Sequence, residues 1–368
     1  MTQPTNPFSR QHPNQQHVIH MSSSTASYLA SLIAAKRRVL FVGPPGCAKT
    51  ARIAAAAAAA GHDLVVIRLS LAERVDLGGC LVPDAAGGVT RALPLETLHR
   101  LRTAARPTIL LLDDLGQAPI DVQASAMALF DSGALPAHVL IWGATNRPGD
   151  KAGVSALCEP LRSRFHVAFS VATPESEEKS DGSTFIASWA DEVAAWCDWA
   201  SGEDFAPEII AWHRSTTGRT LYAWKPVSDP ALRLPDFRSW ETVGRLWAAG
   251  LRDLRTVGAA IGKPAAAEFL AFAALADQLP TPQQVWLDPD GAPVPSDPAA
   301  QYLIAAMLGR AAEPKFATQL VTYFSRLPRV MGAYCARDAY KRLGAKLAGN
   351  GAWQTWFLAN RQLFETGT

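Results

Sequence analysis

The sequence predicts an α/β fold, in which helices cover a parallel β-sheet, followed by a region that is entirely helical. Three observations lead to this prediction. Five short apolar segments alternate with helical segments over residues 39–171, which is typical of parallel strands joined by crossover helices. The first segment runs directly into a glycine-rich loop that ends in Lys49 and Thr50. Beyond residue 173 the apolar spacing becomes helical, and ten of the eleven tryptophans lie after residue 188.

The composition divides the chain into four expected parts. Residues 1–20 are rich in Gln, Asn and Pro and poor in apolar residues, so we expect a flexible tail. The α/β core is expected over 21–173 and a first helical region over 174–285. The sequence Pro280-Thr281-Pro282 and a run of Pro, Asp and Gly at 288–298 then indicate linker and turns, and a helical C-terminal extension is expected over 286–368.

The first elements of the core form a βαβ unit. A helix that begins at the serines and threonine of 22–25, which can act as N-caps, leads into a strand at 39–43. A helix at 49–60 and a buried strand at 64–70 follow. Residues 71–94 interrupt this rhythm with glycine and proline around short apolar pieces. We expect a hairpin or paired loops there, which project from the domain.

The remaining core alternates helices with strands. The expected elements, in order, are a helix at 94–105, a strand at 108–116, a helix at 119–131, a strand at 138–146, a helix at 154–164 and a strand at 165–171. The helical candidates beyond the core are 184–200, 206–214, 237–250, 265–277, 299–310, 316–327, 331–346 and 352–364.

The loop after the first strand predicts a phosphate-binding site. Its backbone N–H groups lie where a helix begins and can wrap a polyphosphate. In such a loop Lys49 reaches the β- and γ-phosphates, and Thr50 holds Mg²⁺. The usual pattern GxxxxGK[ST] has glycine where this chain has Ala48; because that position opens a helix, we expect a methyl group to be tolerated. The predicted nucleotide-binding residues are Gly43, Pro44, Pro45, Gly46, Cys47, Ala48, Lys49, Thr50, Ala51 and Asp113.

Two further strands deliver polar side chains to the edge where parallel sheets place their ligands. Asp113 and Asp114 follow the apolar residues of the predicted strand at 108–116; we assign Asp113 to Mg²⁺ and Asp114 to the attacking water. Asp114 is one methylene shorter than the usual glutamate, which favours slow hydrolysis. Asn146 ends the next strand and can hydrogen-bond the water or the γ-phosphate.

Three arginines are candidates for contacts with nucleotide from elsewhere. Arg162 and Arg164 precede the last strand, and their position predicts an arginine finger that reaches the nucleotide of a neighbouring subunit. We favour Arg164 for this role and Arg162 as its salt-bridging partner or a second phosphate contact. Arg238 lies in the first turn of a helix that Pro235 and Asp236 can initiate. From there it could bring a positive charge to the γ-phosphate.

Composition excludes several other classes of protein. The 35 basic and 33 acidic residues are interspersed and give a formal charge of only +2, so no nucleic-acid-binding surface is indicated. The five cysteines are far apart and form no CxxC pair, as expected for reduced thiols. The N-terminus is polar, and no apolar run is long enough to span a bilayer. We therefore expect a cytoplasmic protein.

Together these motifs resemble those of the AAA+ ATPases, and among them the MoxR-like group with its dynein-related ATPase domain. The resemblance covers about residues 25–285. Its motifs are Walker A GPPGCAKT at 43–50, Walker B ILLLDD at 109–114, sensor 1 GATN at 143–146, the finger segment LRSRF at 161–165 and sensor 2 PDFRSWE at 235–241. Alanine before the Walker lysine is familiar in MoxR-like proteins. Aspartate in place of the Walker B glutamate departs from the family pattern.

The resemblance implies a Mg²⁺-dependent ATPase that forms a ring, in this family commonly a hexamer. It makes 174–285 a lid on the nucleotide. It also implies that the insert at 76–93 faces the central pore of the ring, with Leu81 and Val82 as candidate pore contacts. MoxR-like proteins work with a partner that carries a von Willebrand factor A domain and remodel a protein client.

Two alternatives remain open at this point. The first is a nucleotide-gated scaffold that binds ATP or ADP in order to assemble and turns over negligibly, which Asp114 favours. Phosphate release by the wild type and by Asp114→Glu would distinguish the scaffold from an active ATPase. The second is a nucleic-acid motor, which the near-neutral charge disfavours; salt-sensitive DNA binding with DNA-stimulated turnover would support it.

Overall fold

The protein is described here from a computed structural model. The structure describes residues 23–84, 87–150, 157–174, 184–229 and 231–365. The predicted tail at 1–20 lies outside the described residues, and so do residues 154–156 of one predicted helix. The chain divides into two compact units, of which the first ends at Ser188 and the second begins at Trp189. The boundary at 285/286 between lid and extension stays a prediction.

A five-stranded parallel sheet forms the centre of the first unit and confirms the predicted fold class. Its strands are β1 (Val39–Val42), β2 (Asp63–Arg68), β5 (Thr108–Asp113), β6 (Val139–Thr145) and β7 (Val167–Ser170). Their order across the sheet is β2-β5-β6-β1-β7. Strands β5 and β6 are buried along their whole length, because helices cover both faces of the sheet and leave no polar face.

The helices of the first unit bury the two faces of the sheet. They are α1 (Ser23–Ala34), α2 (Lys49–Ala59), α3 (Arg74–Gly78), α4 (Glu96–Arg102), α5 (Ile120–Ala126) and α6 (Glu159–Arg162). Leu110 and Leu112 of β5 belong to an apolar cluster with residues of α3, α4 and α5. Because side chains alternate along a strand, the equally buried Ile109 and Leu111 point to the opposite face.

The predicted hairpin is present between α3 and α4. Strands β3 (Cys80–Asp84) and β4 (Val89–Leu93) pair antiparallel and form a separate two-stranded sheet. Arg91 and Asp84 form an ion pair on one of its faces, with 2.6 Å between Nε and Oδ2. Leu81 is 75% exposed, so the hairpin presents apolar side chains to solvent.

The second unit is helical, as predicted. Its helices are α7 (Trp189–Gly202), α8 (Pro207–Ser215), α9 (Phe237–Ala248), α10 (Leu254–Ile261), α11 (Lys263–Ala273), α12 (Pro282–Leu287), α13 (Pro298–Ala311), α14 (Ala317–Phe324), α15 (Arg329–Leu343), α16 (Ala345–Ala348), α17 (Gly351–Asn360) and α18 (Gln362–Glu365). No helix in the described part of either unit has the length and apolar character that crossing a bilayer requires.

Two of these helices were missed by the sequence analysis. Helix α12 lies where we expected linker, and α10 lies in a stretch to which we assigned no structure. The cap of α12 is a capping box, in which Gln284 N–H donates to the Thr281 hydroxyl and Thr281 N–H donates to the Gln284 side chain. Helix α10 begins at Asp253, whose carboxylate accepts from Thr256 N–H. The linker assignment was wrong, because α12 begins at Pro282. The residues that form both caps can be recognised in the sequence.

A buried ion pair joins the first half of the second unit to its C-terminal half. Arg214 of α8 donates two hydrogen bonds to Asp338 of α15, at 2.6 and 2.8 Å, and both side chains are less than a tenth exposed. The Arg214 guanidinium also lies over the ring of Tyr334. Because the pair is bidentate and each charge has its partner, its burial is compensated.

Candidate functional site

The phosphate loop has a left-handed backbone at two positions. Gly46 has φ 75°, which glycine adopts without strain. Ala48, the residue before the helix, has φ 62° and ψ 28°. Ala48 does open the helix, as expected, because it is the N-cap of α2 and its carbonyl accepts from Arg52 N–H. Its left-handed backbone disfavours a side chain by about 1–2 kcal/mol, so the methyl group there carries a cost that the sequence did not show.

Close packing beneath the loop explains the glycine at its start. A Cβ atom on Gly43 would lie 2.9 Å from Sγ of Cys47 and 3.2 Å from Cβ of Val171. The Cys47 side chain is fully buried beside it. A larger residue at position 43 would push the loop away from the strands that carry it.

Lys49 lies at the centre of the site and is held by three oxygen atoms. Its ammonium group donates to the carbonyl oxygens of Gly43 at 2.9 Å and Pro44 at 3.0 Å, and to Oδ1 of Asn146 at 2.7 Å. Only 9% of Lys49 is exposed. The predicted phosphate-binding lysine and the predicted sensor residue are therefore in direct contact, although 97 residues separate them in the chain.

The sheet topology produces that contact. Strand β6 lies directly beside β1, and Val42 pairs with Thr145 at the end of both strands. Gly43 N–H then donates to the Thr145 carbonyl at 3.2 Å. Since parallel strands end at the same edge, the loop after β1 and Asn146 after β6 meet there.

Thr50 and Asp113 form the second contact between predicted site residues. The Thr50 hydroxyl donates to Oδ2 of Asp113 at 2.8 Å. Burial raises the pKa of the Asp113 carboxyl; the hydrogen bond from Thr50 opposes this, and the charge of Asp114 adds to it. Hydroxyl and carboxylate oxygens are the ligands that Mg²⁺ prefers, so this pair fits the predicted metal site.

Asp114 has an unusual backbone and is held by side chains that the sequence analysis did not select. Its φ is 55°, again in the left-handed region. Its carboxylate accepts from the Ser70 hydroxyl and from the Gln117 side chain, both at 3.3 Å. Ser70 follows β2, the strand beside β5, so only the strand order could identify it.

Thr145 is another site residue that the sequence analysis missed. It lies within the GATN motif, but we assigned a role only to the asparagine. The Thr145 hydroxyl accepts from Gly116 N–H and donates to the Asn146 carbonyl, both at 3.1 Å. It therefore links the turn that follows Asp114 to the residue that contacts Lys49.

The predicted finger arginines lie away from these contacts. Arg162 forms two hydrogen bonds with Glu159, both at 2.8 Å, on the exposed side of α6. Arg164 donates weakly to the Pro160 carbonyl at 3.4 Å and lies 3.8 Å from a carboxylate oxygen of Asp131. About a third of the Arg164 side chain is exposed. Arg164 is thus only loosely held within its own subunit.

Arg238 belongs to the second unit, exposed in the first turn of α9. Asp236 caps this helix, as predicted, because its carboxylate accepts from Ser239 N–H at 2.6 Å. Burial raises the pKa of Asp236, and its hydrogen bonds with Ser239 and the charge of Arg238 oppose that shift.

Comparison with known proteins shows what the first unit is similar to. Residues 39–172 match the family model described as ATPase family associated with various cellular activities (AAA). Among solved structures, NtrX from Brucella abortus in complex with ADP is similar, with 14% identity and a TM-score of 0.40, over 93% of this chain and 68% of NtrX. The RuvB Holliday junction branch migration motor from Thermotoga maritima has 15% identity and a TM-score of 0.32, over 92% of this chain and 88% of that one. Likenesses at this level carry no argument about activity. Residues 39–172 therefore resemble an AAA ATPase domain, and the five-stranded parallel sheet with its helices has the fold of the AAA+ P-loop NTPases.

Proposed function

We propose that this protein is a Mg²⁺-dependent ATPase of the MoxR-like group, which assembles into a hexameric ring and remodels a protein client. The observation that carries the proposal is the pair of contacts Lys49–Asn146 and Thr50–Asp113. These contacts place a cation, a hydroxyl, a carboxylate and an amide from three separate strand ends at one edge of the sheet. That set of groups suits a nucleoside triphosphate and its metal ion.

Lys49 is the group that recognises the phosphates in this proposal. Its three oxygen partners are neutral, and a phosphate oxygen that carries negative charge is a better acceptor for an ammonium group. ATP can therefore replace the loop carbonyls as partner of Lys49. Asn146 would then be released to hydrogen-bond the attacking water or the γ-phosphate.

Thr50 and Asp113 are the proposed ligands of Mg²⁺. When bound, Mg²⁺ would supply a positive charge that stabilises the negative charge developing on the phosphates. Asp113 must be ionised for this role; burial raises its pKa, and the hydrogen bond from Thr50 and the charge of Lys49 oppose that shift. Asp114 would orient the attacking water and accept its proton.

In the proposed ring, a neighbouring subunit supplies positive charge to the nucleotide. We propose that Arg164 reaches the nucleotide of the neighbouring subunit and stabilises the transition state, with Arg162 beside it. The loose contacts of Arg164 in its own subunit support this assignment. Arg238 remains the proposed lid arginine. The exposed hairpin, with Leu81 and Val82, is the proposed contact with the client, and a von Willebrand factor A domain protein is the proposed partner.

The nucleotide-gated scaffold is the second candidate, and one observation favours it. The Asp114 carboxylate is short and already accepts two hydrogen bonds, from Ser70 and Gln117. In the scaffold, these hydrogen bonds would make the carboxylate a weaker base for a water molecule. Phosphate release by the wild type decides between the two functions, because the scaffold releases none above background.

Single substitutions test the ATP site. Lys49→Ala should lower ATP affinity by about a hundredfold, because a charge-assisted contact is lost. Lys36→Gln, which removes an exposed positive charge, should bind ATP as the wild type does. Arg164→Ala should bind ATP normally but lose phosphate release by about a thousandfold. Normal turnover by Arg164→Ala would show that the finger assignment is wrong.

Mixing the two variants tests the shared site. A subunit with Lys49→Ala still offers Arg164, and a subunit with Arg164→Ala still offers Lys49. In a ring, one orientation of the mixed interface therefore contains both residues. We expect a mixture of the two inactive proteins to regain phosphate release; no recovery would exclude a site shared between neighbours.

A further inference from the structure

We infer that Thr145 is a positioning residue for ATP hydrolysis, which holds the turn carrying Asp114 in register with Asn146. This inference rests on the proposed function, since it concerns the same site. Thr145 ends β6 with its side chain buried, 5% exposed. It would bind neither nucleotide nor Mg²⁺, and it would act only through the two residues that it aligns.

The geometry of its hydroxyl supports this role. The oxygen accepts from the N–H of Gly116 at 3.1 Å, and its proton is donated to the carbonyl of Asn146, also at 3.1 Å. A single hydroxyl therefore connects two backbone positions 30 residues apart, given the difference between 146 and 116. Gly116 lies two residues after Asp114 in the 3₁₀ helix Leu115–Gln117.

A second contact fastens the same turn to the same face of β6. Gly143 is two residues before Thr145, so the two positions point to the same side of the sheet. A Cβ atom on Gly143 would lie 2.5 Å from Cδ1 of Leu115 and 2.7 Å from Cζ of Phe165. The turn after Asp114 is thus packed at Gly143 and hydrogen-bonded at Thr145.

The hydroxyl is the part of this arrangement that gives direction. Packing at Gly143 restricts how close the turn approaches, but apolar contact has little directional preference. A hydrogen bond fixes distance and angle. Asp114 and Asn146 are both proposed to contact the attacking water, so an error of about 1 Å between them can cost up to about a hundredfold in rate.

The test compares substitutions that keep or remove the hydroxyl. Thr145→Val keeps the shape and loses the hydroxyl, whereas Thr145→Ser keeps the hydroxyl. Thr108→Val is the matched control, because Thr108 is equally buried at the opposite end of neighbouring β5 and its hydroxyl donates to the Arg106 carbonyl. ADP binding in the presence of Mg²⁺ and phosphate release at saturating ATP are measured for each full-length protein.

We expect Thr145→Val to bind ADP within about twofold of the wild type and to release phosphate at least about tenfold more slowly. Thr145→Ser should recover most of the rate, and Thr108→Val should lose none. If Thr145→Val does not fold, Thr145→Cys replaces it, because a thiol is a much weaker hydrogen-bonding group than a hydroxyl.

Other results overturn the inference. Equal turnover of Thr145→Val and Thr108→Val would show that the hydroxyl has no part in catalysis, and would leave the proposed function intact. Equal loss in Thr145→Ser and Thr145→Val would show that packing, and not the hydroxyl, matters. A wild type that binds ADP but releases no phosphate would refute hydrolysis itself, and the inference with it.

Discussion

Lowering the pH from about 7.5 to about 5.5 should destabilise the second unit through one side chain, His213. This histidine is fully buried in α8 and makes T-shaped contacts with Trp196 and Trp240, whose ring centroids lie 4.9 and 4.2 Å from its own. Neither ring nitrogen has a hydrogen-bond partner among the described residues. Burial lowers its pKa from 6.5 to about 3.

The sign and size of the effect follow from this shift. Below pH 6.5 the unfolded chain binds a proton that the folded unit does not, so the unfolded state gains stability as the pH falls. His213 therefore imposes no cost above its unfolded pKa, and its cost grows as the pH falls towards 3. The slope approaches about 1.4 kcal/mol per pH unit only below pH 6.5, where the unfolded histidine is protonated. Between pH 7.5 and pH 5.5 the loss is therefore about 1.4 kcal/mol, most of it below pH 6.5.

Urea unfolding followed by tryptophan fluorescence measures this loss. Ten of the eleven tryptophans lie in the second unit, so the signal reports mainly on that unit. His213 is also its only histidine. His213→Phe keeps an aromatic ring but cannot be protonated, and carboxylates that titrate in both proteins cancel in the comparison. We expect the wild type to lose about 1.4 kcal/mol more than the variant.

Two results would refute this reasoning. An unfolding free energy of the wild type that is the same at both pH values would mean that His213 is protonated without cost, and therefore that it is not enclosed by apolar groups. The same pH slope in His213→Phe would assign the effect to other groups.

Two further predictions concern local strain and the buried ion pair. Ala48→Gly should slow hydrogen exchange in α2 by relieving the left-handed strain, worth about 0.5–1 kcal/mol after the greater entropy loss of glycine. Ala58→Gly, the same change at an exposed helical position, should instead accelerate exchange. Asp338→Ala should lower the unfolding free energy of the second unit by about 3–5 kcal/mol, because it leaves the Arg214 charge buried without its partner. Arg245→Ala, which breaks a more exposed pair with Glu241, should cost under about 1 kcal/mol in the same urea titration. Equal hydrogen exchange in Ala48→Gly and Ala58→Gly would contradict the strain at Ala48. Equal losses in Asp338→Ala and Arg245→Ala would contradict the importance of the buried ion pair.

The sequence alone predicted the sheet and most of the helices, because these depend on patterns within short stretches of chain. The apolar strands ending in Asp113 and Asn146 were recognisable from their composition, and the loop from Gly43 to Thr50 from its spacing. The error at α12 arose from one such short stretch. Thr281 was interpreted as linker because prolines flank it, and its capping contact with Gln284 was overlooked.

The candidate site depends on positions that no short stretch of sequence determines. The strand order brings Lys49 to Asn146, Ser70 to Asp114 and Thr145 to Gly116, and each of these pairs is far apart in the chain. Likewise, only the folded backbone shows that Ala48 is left-handed. The sequence determined which chemical groups reach the edge of the sheet. Tertiary structure decided which of them touch, because distances across a sheet are set by strand order and not by separation along the chain.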